Sequence, residues 1–455
     1  MPKSKSTHAT QPARHHIHVL GQLLKLIPRD IIHKTAKETG VDVKARTFSV
    51  LSHLGTMIFV QLAHALSLND VCDWLRLKAR AIASFGLTPP SRNNLSNSNK
   101  VRDAKFTELV FWRTLAHLQH CDASFGRQRP GGGTRSLLHR FKVRIHAVDS
   151  TVMELVANCM DWAKHRRRKA AAKLHLRLGI NSFLPTFGVV DTAGEHDNKR
   201  AREVCAGLQD GEVVVFDKAY VDFAHLHDLD ARGVQWVTRA KDNCRYRCLR
   251  NLPVVKGGNI IKDQIVKLTG AKWQSLKGWT VRRVEAWVED DGEWRVMVFI
   301  TNNTQWSARS VCDLYRARWD IEVFFKQVKQ TLKLSGFLGY SANAIRWQVW
   351  TALLVYVLLR FAAHASQWGH SFTRLFAVVR AAMWERLDLM GLLRSYGTAG
   401  GSFTLLGATH ASWLPGFAPH ESQAHGTASA RQKQPSQPKP QLDPFEIQNT
   451  SPTQN

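Results

Sequence analysis

"FKVRIHAVDST", residues 141–151, is the stretch from which the fold is read. Val143, Ile145 and Ala147 alternate with Arg144 and His146, the period of two expected of a strand, and the run predicts a strand ending on a carboxylate, Asp149. By the same alternation His146 faces away from Asp149 and reads as structural. Outward from it, "LHLRLGI" (174–180) and "LPTFGVVD" (184–191) predict a hairpin, and "DNKRAREVCAGL" (197–208) a helix. "EVVVFDKAY" (212–220) is a short apolar run that predicts a buried strand ending at Asp217.

Three strands, a helix and a fourth strand in that order give an α/β class with a ribonuclease-H-like core. A helical segment (222–231) and the strand "VQWVTRA" (234–240) follow. Residues 242–301 are again β-rich, with "WTVRRVEAWVE" (279–289) and "EWRVMVFITN" (293–302), and are expected to be an insertion in the core. The chain before residue 125 reads as an α-helical N-terminal domain, with apolar residues at helical spacing in 48–66 and 106–120. Between those runs "LTPPSRNNLSNSNKVR" (87–102) reads as a polar connector whose Lys100 and Arg102 are expected at DNA. "RQRPGGGTRS" (127–136) is a flexible link into a catalytic domain at 138–400. The tail 419–455, rich in Pro, Gln and Ser, is expected to be disordered.

Charge points to the partner. With 63 Lys and Arg against 36 Asp and Glu the chain carries +27, which favours a polyanion such as nucleic acid. The basic run "KHRRRKAAAKLHLR" (164–177) could follow a DNA backbone or form a solvated loop face. No membrane is expected: the first residues lack a signal-peptide core, and "ALLVYVLL" (352–359) is too short to span and reads as a buried helix. Seven scattered cysteines suit a reducing compartment, and Cys244 and Cys248 have no nearby partners at zinc-site spacing.

"YRARWDIEVFFKQVK" (315–329) predicts one amphipathic helix. At about 100° per residue, Tyr315, Arg318, Glu322 and Lys329 fall within about 60° of one another, beside the apolar stripe. Two readings stand at this point: a solvated edge with an i, i+4 Arg318–Glu322 pair worth a few tenths of a kcal/mol, or a working surface. The second gains from the two aspartates. Three carboxylates at one place repel unless cations bind, and Mg²⁺ accepts carboxylate oxygens together with water and phosphate. Two such ions about 4 Å apart activate an attacking water and stabilise the leaving oxygen. Arg318, Lys329 and Tyr315 can then hold phosphate.

The spacing Tyr-x2-Arg-x3-Glu-x6-Lys, with "VDST" at Asp149 and "DKAY" at Asp217, resembles the DDE transposases of bacterial insertion sequences, in the branch with a β-rich insertion. "SLND" (67–70) and "NNLSNSN" (93–99) resemble the N-terminal domain often attached to them. Two departures stand out: Lys218 and Ala219 replace a usual Arg-Gly, and Asn69 replaces a usual Arg.

The resemblance implies cut-and-paste transposition by metal-dependent cleavage and strand transfer at terminal inverted repeats. Asp149, Asp217 and Glu322 are then the catalytic and metal-binding residues for two Mg²⁺ ions, with Mn²⁺ able to substitute. It also implies phosphate contacts from Tyr315, Arg318 and Lys329, a Trp of the insertion stacking on a flipped base, and a homodimer on double-stranded DNA in the bacterial cytoplasm at the nucleoid. Trp294 is the candidate for the stacking residue, with Trp236 and Trp279 as alternatives. Two rivals remain: a ribonuclease-H-like nuclease acting on structured nucleic acid, and a domesticated DNA-binding protein without catalysis.

Overall fold

Alternation along Ile145–Leu155 (β1) sends Ile145 and Ala147 to one face of a sheet and His146 and Val148 to the other, all four buried. The computed structural model describes residues 12–396 except 44, 46, 128–139, 156–163, 167–168, 193–196, 243, 270–277, 291, 333 and 335. The expected disordered tail lies outside the described residues.

The remaining strands are Lys164–Arg166 (β2), Lys169–Gly179 (β3), Leu184–Thr192 (β4), Val213–Phe216 (β5), Gln235–Arg239 (β6), Tyr246–Asn251 (β7), Ile260–Leu268 (β8), Thr280–Asp290 (β9) and Glu293–Thr301 (β10). They form a single sheet of ten strands. β4 pairs with β3, and the order continues β3-β1-β5-β6-β10-β9-β8-β7, with β2 at the far end of β3. β3 and β4 run antiparallel to their neighbours, whereas β1, β5 and β6 are parallel. That five-strand arrangement is the ribonuclease-H-like core.

The β-rich insertion is not a separate body. β10 pairs with β6 from Phe299↔Arg239 to Thr301↔Val237, so the insertion prolongs the central sheet. Its strands are held to one another by a buried pair, Asp263 on β8 and Arg282 on β9, each 4% exposed with Nη2–Oδ2 2.6 Å. The expected end of β1 at Asp149 also needs correction. β1 runs on to Leu155 because β3 continues beside it, Leu155 opposite Ala170, after β5 has stopped.

One face of the sheet belongs to a core that runs from Val19 to Leu393; the other is covered around Val204, Leu226 and Trp236. The central helix Ala342–Ala365 lies deep in the first core. It is the one described helix long and apolar enough to cross a membrane by composition, and 83% of its most apolar stretch is buried inside the protein. The helices Val50–Ala63, Arg92–Val101 and Lys105–Cys121 pack on it. Trp347 donates its Nε1–H to the Arg102 carbonyl at 2.7 Å, and Asn343 donates to the Asn99 and Arg102 carbonyls.

Most of the "connector" 87–102 is itself a helix, Arg92–Val101. Ser91 caps it by accepting from Asn94 N, and Leu95, Ser98 and Asn99 turn inward. Arg102 is also not the DNA contact its letter suggests. It is 9% exposed and donates to the Phe48 and Ser49 carbonyls beside Asp42. The basic run 164–177 is likewise partly interior: Lys173, His175 and Arg177 are buried, and Arg177 donates to Thr186 Oγ1 and the Val204 carbonyl.

Candidate active site

Register brings the two aspartates together. The parallel ladder of β1 and β5 ends at Val148↔Phe216, so the next residue on each strand, Asp149 and Asp217, stands at one level of the sheet, about 4.8 Å apart by strand spacing. Both continue the side of the sheet that carries Ala147 and Val215. Asp149 accepts from Ser150 N at 2.7 Å. Asp217 caps a short 3₁₀ turn, Lys218–Tyr220, by accepting from Lys218 N at 2.7 Å. Ala219 sits in this turn without left-handed backbone, so the missing glycine costs the turn nothing. Tyr220 anchors it from below, buried, with its hydroxyl 3.2 Å from His175 Nδ1.

The predicted single helix 315–329 is two. Ala308–Arg316 ends and Trp319–Thr331 begins across a tightened turn in which Arg318 N bonds to Tyr315 O and Ile321 N to Arg318 O, each three residues back. Because Ala317 and Arg318 keep right-handed helical backbone, the polar stripe survives the break. Tyr315 reaches Asp217 Oδ1 with its hydroxyl at 3.4 Å. Arg318 Nη1 lies 2.6 Å from Glu322 Oε1 and 3.4 Å from Asp149 Oδ2. Lys329 donates to the Val152 carbonyl at 2.8 Å, a group that exists at this place because β1 runs on beyond Asp149. Stripe, strand ends and both aspartates therefore form one site.

Its electrostatics are set first by burial and only then by neighbouring charge. Burial pushes the Asp149 carboxyl up to about 6; Ser150 N–H and Arg318 oppose this, and Glu322 and Asp217 add to it. Burial also raises Tyr315 to about 12, so it remains a hydroxyl donor, and lowers the Lys329 ammonium from its usual value. Arg318 is 8% exposed, and its Nε is buried without a hydrogen-bond partner. Three carboxylates with no sulfur or imidazole form a donor set for a hard divalent cation. Among the described residues no finished cage of three ligands is assembled; the Arg318 guanidinium stands between Asp149 and Glu322. The residues fit the ion in kind.

The other candidates fall elsewhere. Trp294 is 62% exposed on β10, five residues and about 17 Å along the strand from Phe299, whose ring is 4.8 Å from that of Tyr315. An odd separation puts Trp294 on the opposite face from Phe299, so it is not gathered with the carboxylates. Trp236 is fully buried, and Trp279 donates to Asp230 at 2.7 Å; both are structural. Asp191, near the end of β4, also follows a strand as the two site aspartates do, but accepts from Arg200 Nε at 2.8 Å. One neighbour was missed in the sequence: Arg239, last residue of β6, lies level with Asp217 and its charge acts on Tyr315. The strand-end position in "VQWVTRA" was the available signal.

Comparison with known proteins gives the family. Residues 141–358 match the transposase DDE domain, and residues 15–88 match a domain of unknown function. A Geobacillus stearothermophilus protein named "Probable transposase for insertion sequence element IS5377" is 30% identical over 342 residues, 74% of this chain and 82% of that one. The Escherichia coli transposase InsG for insertion sequence element IS4 is 22% identical over 193 residues, 42% of this chain and 43% of its own. Among solved structures, a piggyBac transposase synaptic complex with hairpin DNA covers 82% of each chain at a TM-score of 0.42 and 10% identity, a likeness too distant to inform residue roles. The chain belongs to the DDE transposases of bacterial insertion sequences, metal-dependent enzymes that cut DNA and transfer its strands.

Proposed function

We propose that this chain carries out cut-and-paste transposition of its own element: it binds the terminal inverted repeats, cleaves there with Asp149, Asp217 and Glu322, and joins the freed ends to target DNA. The observation that supports this most is the register that sets Asp149 beside Asp217, with Glu322 joined to Asp149 through Arg318. Asp149, Asp217 and Glu322 would hold two Mg²⁺ ions, or Mn²⁺ in their stead, which when bound would supply Lewis-acid activation of the attacking water and charge neutralisation at the leaving oxygen.

The chain's own groups do the rest. Arg318, whose buried Nε lacks an acceptor, is suited to fork onto a phosphate of the cut end. Tyr315 offers a hydroxyl proton that burial keeps in place, and Lys329 a cation on a flexible stem. This division supports membership of the branch with the Tyr-Arg-Glu-Lys stripe. Trp294, exposed at the start of β10, is the insertion side chain suited to stack on an unpaired base. The helices before residue 125 act as the DNA-binding part and residues 138–400 as the catalytic part. The enzyme works as a homodimer on paired ends in the bacterial cytoplasm.

Asp149→Asn tests the assignment. The variant is expected to keep binding to the element's ends and to lose both cleavage and strand transfer; full cleavage overturns the triad. Cleavage by the wild type without joined products would point instead to a nuclease.

A further inference from the structure

Two sequence patterns remain outside the catalytic site, "SLND" and "NNLSNSN", and the fold brings them to one place. Ser67 and Asp70 form a reciprocal cap: Asp70 N donates to Ser67 Oγ at 3.2 Å and Ser67 N to Asp70 Oδ2 at 2.9 Å. The residue between them that departs from the usual pattern, Asn69, points into a groove of about 530 Å³. The opposite wall is the helix Arg92–Val101. Arg92, Ser96 and Lys100 follow one another at i, i+4 and i+8, which places all three on one side of that helix, and each is exposed and lines the groove. Tyr340, 53% exposed, closes the third side, just after the Glu322 helix.

No Asp or Glu is among the described residues that line this groove, and neither Arg92 nor Lys100 has an ion-pair partner among the described residues. Asp70, the nearest acid in sequence, is spent in the helix cap. The walls are fixed to one another. Asn99 accepts at Oδ1 from His53 Nε2–H (2.8 Å) and donates from Nδ2 to the Leu338 carbonyl (3.3 Å), while Asn343 holds the end of the Arg92–Val101 helix. A rigid cleft with two unpaired cations, hydroxyls and an amide offers the donors that phosphate oxygens accept.

We infer that this groove is a second, non-catalytic contact for duplex DNA, in which Arg92 and Lys100 engage backbone phosphates while Ser96, Asn69 and Tyr340 supply neutral donors. The inference rests on the transposase reading and adds to it where the N-terminal helices meet the duplex. It also replaces the pair expected from sequence: Lys100 remains, and Arg92 takes the place of the buried Arg102.

Counterion release gives the test. The full-length protein is titrated with a short fluorescein-labelled duplex of mixed sequence at several NaCl concentrations. Each phosphate contact contributes about 0.9 to the slope of log affinity against log salt, so between roughly 50 and 200 mM NaCl each lost contact removes about a 3.5-fold salt loss. Arg92→Ala/Lys100→Ala is expected to lose about 12-fold less affinity over that range than wild type. Arg92→Lys/Lys100→Arg, which keeps both charges, should retain the wild-type slope.

A wild-type slope in the double alanine variant overturns the inference. So does an equal fall in Lys34→Ala/Lys37→Ala, two exposed lysines on the helix Arg29–Thr39 that serve as a charge-matched control. The two readings fail separately. A flat result for the groove leaves the cleavage loss of Asp149→Asn intact, and a wild type that neither cuts nor joins leaves the salt slope to be judged alone.

Discussion

Asp149→Asn should make the metal-free protein more stable while disabling it. In the fold the Asp149 carboxyl is raised from 3.8 to about 6, first by burial, so its ionised form is disfavoured there. The unfolded chain ionises first as pH rises through about 4. Stability from this group is fully present below that value and is lost as pH climbs to about 6. Linkage puts the loss at about 3 kcal/mol by pH 7 and about 1.6 kcal/mol by pH 5. Asparagine carries no charge and leaves Arg318 its closer partner, Glu322 at 2.6 Å.

With an unfolding entropy of about 2.1 cal/mol/K per residue over about 400 residues, 3 kcal/mol corresponds to about 3–4 °C. Scanning calorimetry in EDTA should therefore show the variant melting about 3–4 °C above wild type at pH 7 and about 2 °C above it at pH 5. Mg²⁺ should raise the wild-type midpoint, since it binds the folded site, and should move the variant less. A variant that melts below wild type equally at both pH values, or equal Mg²⁺ stabilisation of both proteins, refutes the reasoning.

Glu322→Gln should reduce Mg²⁺ stabilisation as Asp149→Asn does, whereas Arg318→Lys and Lys329→Met should keep it and slow end cleavage by about 10- to 100-fold, the range of one lost charge-assisted hydrogen bond; equal losses of metal binding across all of them contradict the division of labour. Asp263→Ala strands a buried Arg282 between β8 and β9, and should cost about 3–5 kcal/mol in denaturant titration, against near-neutrality for a double replacement by apolar residues. Ser67→Ala should cost about 1 kcal/mol through the lost helix cap. Asp70→Ala added to it should cost less than it does alone, because the cap is reciprocal; a double-mutant cycle in urea reads this directly.

The catalytic core was legible because its signals are local. Alternation around Asp149 and the apolar run before Asp217 each specify a strand, and adjacency of the two strands follows from the order of elements. The stripe from Tyr315 to Lys329 was legible for a different reason: helical phase is kept across the break at Ala317 and Arg318, so an error in helix length left the geometry right. What stayed hidden is set by distant pairing. Nothing near residue 299 announces that it will lie beside Arg239, so how the insertion joins the sheet could not be read from the sequence. Letter-by-letter charge misled in the same way. Arg102 and Arg177 look like surface cations until backbone carbonyls from remote segments are seen to take their donors.

Asn99 and His64, both in the N-terminal helical region, bond to the carbonyls of Leu338 and Thr331, on either side of the turn that follows the Glu322 helix. The N-terminal helices are thus fastened to the catalytic machinery by side-chain bonds to backbone carbonyls at fixed places, and share its core. For the element's history this restricts what can be exchanged. A foreign N-terminal region cannot be grafted on as an independent module without refitting those seats, so changes there should accumulate as surface substitutions on a retained scaffold.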